Sequence, residues 1–501
     1  MNAPRLLIAA AHKSSGKTTL ALGLAQALAE QGLAVQTFKK GPDYIDPMWL
    51  ARASGRPCYN LDLHLMGSDE IDALFARHAA QAGISLIEGN KGLYDGLALD
   101  GSDSNAALAH RLGLPVLLVI DTRGMTRGIA PLVLGYQAFD PKLRIAGLIL
   151  NQVGGARHEA KLRAVIEHYT DVPVLGAVQR DARLELVERH LGLPTTGETD
   201  DAAARLRQIA QAVAAQVDLD RVRALAASAG PLARVSASAS TSMPMPAAPL
   251  AFAPAPAQAA RAPRIGIARG QAFCFYYPDD LEALQAAGAE LIPVDPLRDS
   301  GLPALDGLFI GGGFPEAFMH QLEANGSMRA ALRQAVTAGL PTYAECGGLM
   351  YLARSIRWQG QVAQMVGAIP GDIVMRERPV GRGYVRLAQT PDHPWPMPGQ
   401  ADAGAGPTVC LGHEFHHSEL VDADPSLRYA YAVERGHGID GRRDGVLVHK
   451  LLASYSHLRG TLGNRWPQRF LAFVRQCMQA GSAAAPAPPP SSNKGVLPCL
   501  A

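Results

Sequence analysis

Short apolar runs alternate along the chain with longer segments whose apolar residues recur at helical spacing. Leu6–Ala10, Ile84–Ile87, Val116–Ile120 and Ala146–Leu150 are compact runs of four or five mostly nonpolar residues. That length, without strict alternation, predicts strands buried on both faces of a parallel sheet. Ala-rich amphipathic stretches such as Thr18–Gln31 lie between them. The same grammar returns after residue 263. There Ile265–Ala268, Leu291–Val294, Gly307–Ile310, Thr342–Ala344 and Val446–Val448 read as strands, separated by helical patterns such as Asp279–Ala287 and Met328–Ala338. Strand–helix alternation on this scale predicts two doubly wound α/β domains.

The pattern breaks in two places. From Ser228 to Pro263 proline, alanine and serine punctuate the chain and no apolar periodicity survives, so a linker is expected over 228–263. The run Ala-Pro-Ala-Pro-Pro-Pro-Ser-Ser marks 481–501 as a tail expected to be disordered. Two globular blocks remain, 1–227 and 264–480, with no short repeat relating them.

Composition narrows the function classes. Apolar residues make up 48% of the 501, enough for two cores and too many for a disordered chain. The net charge of +2 offers no excess for nucleic acid. The six cysteines are never closer than 22 positions, which excludes a CxxC redox or metal motif and gives no disulfide framework. The opening residues lack the layout of a secretory leader, and the longest charge-free stretch, Val235–Ala260, is too proline-rich for a membrane helix. The expectation is a cytoplasmic protein without membrane or nucleic-acid partners.

Candidate chemistry starts at Ala11-His12-Lys13-Ser14-Ser15-Gly16-Lys17-Thr18, between a predicted strand and a predicted helix. A phosphate loop needs this context, because free N–H groups and a helix N-terminus face the anion there. Ser15, Gly16, Lys17, Thr18 and Thr19 are candidate ATP contacts: Lys17 reaches the outer phosphates and Thr18 ligates Mg²⁺. Ala11 departs from the Walker pattern, which has glycine at that place. Acidic residues near later strand ends, Asp43, Asp46 and Glu88, fall where an open α/β sheet gathers its ligand-binding loops, and carboxylates there can hold Mg²⁺. Taken singly, each Asp serves equally as a turn or cap residue. Asn151, which follows Leu148-Ile149-Leu150, reads either as an adenine contact or as a turn asparagine.

In the second block Thr342-Tyr343-Ala344-Glu345-Cys346-Gly347-Gly348 places a cysteine at a tight corner between a strand and a helix over Leu349–Arg354. A lone cysteine is usually a small buried residue. Its neighbours favour a nucleophile here: Gly312 and Gly313 in a glycine loop offer oxyanion N–H groups, and His457 supplies a base. This set resembles a class I glutamine amidotransferase. Most of that class carry the base in His-x-Glu, whereas Arg459 stands at the acid's place, so the expectation is a Cys–His dyad. The cluster His413-Glu414-Phe415-His416-His417 lacks a metal-site pattern and reads as packing or as contact with an acidic substrate.

The order of these motifs carries a further resemblance. The phosphate loop, Gly41-Pro42-Asp43-Tyr44-Ile45-Asp46-Pro47, Asn60-Leu61-Asp62, Glu88-Gly89 and Gly92-Leu93-Tyr94-Asp95-Gly96, followed by the amidotransferase block, resemble the cobyrinate a,c-diamide synthase family. The resemblance spans both blocks. It implies a P-loop NTPase-like domain followed by a flavodoxin-like amidotransferase domain. It also implies a ligase that consumes glutamine and ATP and amidates the a and c carboxylates of cobyrinate through an acyl phosphate. By position, Thr18, Asp43 and Glu88 would hold Mg²⁺, while Tyr44, Asp46 and Asp95 would face the acidic corrin-type tetrapyrrole. Lys91 departs from the family's usual residues and would suit another carboxylated macrocycle. Hydrogenobyrinate, sirohaem or sirohydrochlorin therefore stand as alternative substrates. A P-loop switch ATPase with a degenerate amidotransferase-like module is the alternative of another class. Pairing into a homodimer is left open.

Overall fold

The computed structural model describes residues 3–184, 202–232, 261–396 and 408–483. Of the expected linker, 233–260 lie outside the described residues, as does the expected tail from 484 onward.

The first sheet has seven strands: β1 (Arg5–Ala10), β2 (Val35–Lys40), β3 (Tyr59–Leu61), β4 (Ile84–Glu88), β5 (Val116–Asp121), β6 (Ile145–Val153) and β7 (Val174–Gln179). All neighbours pair in parallel, in the order β3-β2-β4-β1-β5-β6-β7. Every residue of β1, β2, β4 and β5 is buried, which explains why these strands read as unbroken runs. Helices cover both faces. On one, Leu20, Leu24 and Leu28 of α1 (Lys17–Glu30) pack with Leu206, Ile209 and Val213. On the other, Ile71, Phe75, Leu108 and Ile129 close a second core. β1 lies at the centre of the sheet, so the loop that follows it opens at mid-edge, where open α/β sheets bind ligands.

The second block begins with β8 (Arg264–Ala268), β9 (Glu290–Val294), β10 (Gly307–Ile310) and β11 (Thr342–Glu345). A small layer follows, β12 (Ser355–Trp358), β13 (Gln361–Gln364) and β14 (Asp372–Met375). Next come β15 (Gly381–Gln389), β16 (Val409–His416), β17 (Ser418–Val421) and β18 (Arg428–Arg435). The last are β19 (Arg443–Val448), β20 (Leu451–Ser454) and β21 (His457–Leu458). One ten-stranded sheet runs β21-β16-β15-β18-β19-β20-β11-β10-β8-β9, and a four-stranded one runs β13-β12-β14-β17. Within the large sheet, β9-β8-β10-β11-β20 pair in parallel in the flavodoxin order 2-1-3-4-5.

The other half of that sheet differs from expectation, because it is antiparallel. Val446–Val448, read as a parallel strand, ends β19. It turns back through His449 and Lys450 into β20, which is the parallel neighbour of β11. β15 alternates buried and exposed residues, with arginines outward, and so lacks the continuous apolar run that marks a doubly covered strand.

Candidate active site

The loop after β1 is held in the shape a phosphate needs. Ser14 and Gly16 have φ of 65° and 79°. At Gly16 a Cβ would lie 2.2 Å from Asn151 Nδ2, so only glycine fits. Ser15 Oγ donates to His12 O at 2.7 Å, and Asn151 Nδ2 donates to Ser15 O at 2.8 Å. Asn151 thus braces the loop from near the end of β6. α1 begins at Lys17 with no acidic residue of its own in its first turn, so the positive end of its dipole faces the loop beside Thr18 and Thr19.

A compact charge cluster stands next to this loop. Glu88 Oε1 accepts from Thr18 Oγ1 at 2.6 Å and pairs with Lys17 Nζ at 3.3 Å and Lys39 Nζ at 3.2 Å. Lys39 also pairs with Asp46 Oδ2 at 2.5 Å, and that oxygen lies 3.4 Å from Thr18 Oγ1. Sheet register creates the cluster, since Lys39 and Glu88 are direct partners on β2 and β4. Burial lowers the Lys17 pKa. Burial would also lower that of Lys39, yet Asp46 and Glu88 hold it above its ordinary value. Burial opposes ionisation of Asp46 as well, but Lys39 holds that carboxyl below the usual range.

These oxygens suit Mg²⁺. The Glu88 Oε2 atom is buried without a hydrogen-bond partner, and a hydroxyl with carboxylates is a hard donor set. Among the described residues no group of three or more His, Cys, Asp or Glu side chains could hold a metal alone. Asp43 stands apart. Its Oδ1 accepts from the N–H groups of Ile45 and Asp46 at 2.9 and 3.0 Å, at the start of α2 (Ile45–Ser54). Burial, then the Asp46 charge, pushes it up to about 6. Lys39 links Asp46 to Glu88, so Asp46 belongs with Thr18 and Glu88 beside the expected Asp43.

Around the rim, Asn105 shapes the segment after β4: its Oδ1 accepts from Asn90 N at 3.1 Å and its Nδ2 donates to Gly92 O at 2.7 Å. Asp95 is exposed and accepts from Gly92 N at 2.9 Å. Lys91 is exposed too, with a φ of 42°.

In the second block Cys346 occupies the corner after β11 with φ 46° and ψ −100°, a strained conformation for a residue with a side chain and one that often marks a function. Its N–H donates to Ser454 O at 2.7 Å. The buried Asp444 fixes the neighbouring turn, accepting from the N–H groups of Tyr455 and Ser456 at 3.1 Å each and from Ser454 Oγ at 2.8 Å. That turn delivers His457 to the thiol. Burial alone would lower the His457 pKa, but the Cys346 thiol and the Glu345 carboxylate push it up to about 10. His457 Nδ1 lies 3.5 Å from Glu345 Oε2. The glycine loop closes the other side: a Cβ on Gly312 would come within 2.6 Å of His457 Cε1, and one on Gly347 within 2.9 Å of Gly313 N.

The later histidines diverge. His413 stacks on His457 at 5.0 Å, whereas His416 stacks on Tyr455 at 4.0 Å and its Nδ1 bonds to Ser418 O at 2.8 Å. Both rings thus pack against aromatic neighbours.

One loop joins the two centres. Residues 41–47 place Asp46 against Thr18, while Tyr44 stacks on Phe275 at 5.2 Å and lies 5.2 Å from the His457 ring and 5.5 Å from that of His413. Tyr44 is 8% exposed. The Asn60 Nδ2 atom supports this loop through Gly41 O and Asp43 O, both at 2.7 Å. Asn60 O in turn accepts from Arg459, whose guanidinium also pairs with Asp279 at 2.8 Å. Arg459 is thus an interdomain tie.

Sequence reasoning missed Lys39, Glu345 and the destination of Tyr44. The signals were faint: a lysine pair ending a strand before an acidic loop, and a carboxylate inside a strand beside the nucleophile.

Comparison with known proteins agrees with this division. Residues 6–193 match the family described as the CobQ/CobB/MinD/ParA nucleotide binding domain, and residues 264–463 match the CobB/CobQ-like glutamine amidotransferase domain. A cobyrinate a,c-diamide synthase of Magnetococcus marinus is 44% identical over 94% of this chain and 97% of its own length. One from Methanosarcina acetivorans is 40% identical, covering 91% and 92%, and one from Dehalococcoides mccartyi is 39% identical, covering 91% and 95%.

Proposed function

The chain belongs to the cobyrinate a,c-diamide synthase family, and from that premise we propose that it amidates the a and c carboxylates of cobyrinate with glutamine as nitrogen donor and ATP as activating agent. Residues 1–227 form the amidoligase part and 264–480 the glutaminase part. The observation that carries this reading is the loop 41–47, which lines a phosphate-type site with Asp46 and a thiol–imidazole site with Tyr44. A switch ATPase with an inert second module has no need of a strained cysteine facing a buried histidine. The sirohaem and hydrogenobyrinate alternatives find no support among the relatives, which carry the cobyrinate name.

The chemistry follows from the two centres. Cys346 attacks the side-chain carboxamide of glutamine, N–H groups of the Gly312–Gly313 loop receive the developing oxyanion, and His457 returns a proton to the departing ammonia. Water then releases glutamate from the thioester. In the first block a substrate carboxylate attacks the terminal phosphate of ATP and ADP departs as the β–γ bond breaks; phosphorylation thereby turns a poor electrophile into an acyl phosphate with a good leaving group. Lys17 and the N-terminus of α1 hold the phosphates in place. Thr18 and Glu88, with Asp46 beside them, would hold Mg²⁺, which when bound neutralises phosphate charge. Ammonia displaces phosphate to give the amide.

The test is product mass spectrometry after incubation with cobyrinate, ATP, Mg²⁺ and glutamine. Two successive carboxyl-to-amide conversions are expected. Conversion of another tetrapyrrole while cobyrinate stays unchanged would refute the substrate assignment.

A further inference from the structure

The place where the amidotransferase class carries its orienting acid is filled here by Arg459, which is turned away toward Asp279 and Asn60. His457 nevertheless has a carboxylate beside it. Glu345, at the end of β11, is 2% exposed. One of its oxygens is fully engaged: Oε1 accepts from Tyr343 OH at 2.6 Å and from Leu458 N at 2.9 Å. Those two bonds aim the other oxygen, Oε2, at His457 Nδ1, 3.5 Å away. Among the described residues Nδ1 has no closer partner. The other nearby buried acid, Asp444, is committed to the 454–456 turn, with Oδ2 taken by Ser454 Oγ and by both N–H and Oγ of Ser456.

We propose that Glu345 is the positioning residue of the glutaminase centre, holding His457 with its proton on Nδ1 so that Nε2 faces the Cys346 thiol. The acid and the nucleophile are then consecutive residues. The strand end fixes Glu345 on one side of the imidazole, and the strained corner at Cys346 turns the thiol to the other. A carboxylate at Nδ1 selects the tautomer whose Nε2 lone pair can take the thiol proton, and it stabilises the imidazolium formed. The 3.5 Å separation is consistent with a catalytic contact that tightens when substrate binds. The groups facing His457 are Cys346, Glu345, the ring of His413 at 5.0 Å and Tyr44 at 5.2 Å; only Glu345 can bring a negative charge to Nδ1.

The inference rests on the reading of Cys346 and His457 as a glutaminase. If Cys346→Ala leaves glutamine-dependent amidation intact, that reading fails, independently of Glu345. Given that reading, Glu345→Gln is measured as full-length protein. The expected results are a fall in kcat for glutamine hydrolysis of roughly ten- to a hundredfold, the loss of one charge-assisted contact, with KM for glutamine within about twofold. The alkaline limb of the pH profile, where imidazolium is lost, should move to lower pH by about one unit, since one of the two groups that raise His457, the other being Cys346, has lost its charge. Ammonia-dependent amidation should be unchanged, which reports an intact fold. Glu345→Asp keeps the charge and must recover part of both losses. A fall in kcat with an unmoved limb, no fall at all, or no recovery by aspartate overturns the proposal. If the Glu345→Gln protein lacks ammonia-dependent amidation, Glu345→Asp is compared with wild type directly, and there an unchanged kcat for glutamine hydrolysis overturns it, because the shorter side chain draws the carboxylate away from Nδ1.

Discussion

Tyr44 belongs by sequence to the ATP-using block, yet its ring lies in the wall of the glutaminase centre, so replacing it should damage the opposite half of the reaction. The Tyr44→Ala variant removes a stacked contact with Phe275 at 5.2 Å and the ring contacts with His457 and His413. An aromatic pair contributes about 0.5–1.5 kcal/mol beyond the area it buries. Two such contacts bearing on the catalytic imidazole give roughly 1–3 kcal/mol, or about five- to a hundred-and-fiftyfold in kcat/KM. The assay compares amidation with glutamine and with ammonia, at saturating ATP and macrocycle. Glutamine-dependent kcat/KM should fall by that factor while the ammonia-dependent rate changes by less than about threefold. Tyr44→Phe should keep most of the activity, because the ring supplies the contacts. Equal losses with both nitrogen donors, or a rise confined to the macrocycle Michaelis constant, would refute the reasoning and return Tyr44 to the substrate role expected from its motif.

Cys346→Ala and His457→Ala should both abolish glutamine-dependent amidation and leave the ammonia-dependent reaction largely intact; equal loss with both donors would make the pair structural. Lys17→Ala or Glu88→Gln should stop ATP-dependent amidation while glutamine hydrolysis persists, and normal amidation in both would move the nucleotide site elsewhere. Lys39→Met leaves Asp46 without its ion-pair partner and Glu88 with Lys17 alone, a broken buried ion pair that costs about 3–5 kcal/mol and lowers Tm by roughly 10 °C. Because Lys39 holds the Asp46 pKa below its unfolded value, this stabilisation is present above an unfolded pKa of about 3.9 and is lost as pH falls through the folded value. The Tm gap should therefore narrow in acid, and a gap independent of pH would count against the pairing. Lys91 is exposed, so a carboxylate contact there is worth about 0–1 kcal/mol, and Lys91→Met should raise the macrocycle Michaelis constant by at most about fivefold. A tenfold rise in steady-state kinetics would mean that bound substrate buries the lysine.

Much of this protein is local and therefore legible in its sequence. The turn between β1 and α1 is specified by neighbours: a buried run, a glycine that alone fits beside Asn151, then Lys17 and Thr18 at a helix start. The Cys346 corner is equally local, a strand end followed by two glycines. Doubly covered parallel strands announce themselves because both faces must be apolar. The antiparallel strands of the second block were harder to see, since one solvated face dilutes their pattern, and β15 and β18 carry two arginines each.

Only the tertiary structure decided how the chemistry is partnered. Lys39 meets Glu88 because β2 and β4 pair in one register, and Asp46 joins them because the loop after β2 brings it onto Lys39 and Thr18. Glu345 meets His457 through the pairing of β11 with β20, and Tyr44 reaches His457 across the domain contact that Arg459 and Asn60 tie together. These partners lie far apart along the chain, so no spacing rule connects them. Residue type and local order state which reactive groups exist, but which group faces which is set by strand register and domain docking, where burial strengthens each charge contact.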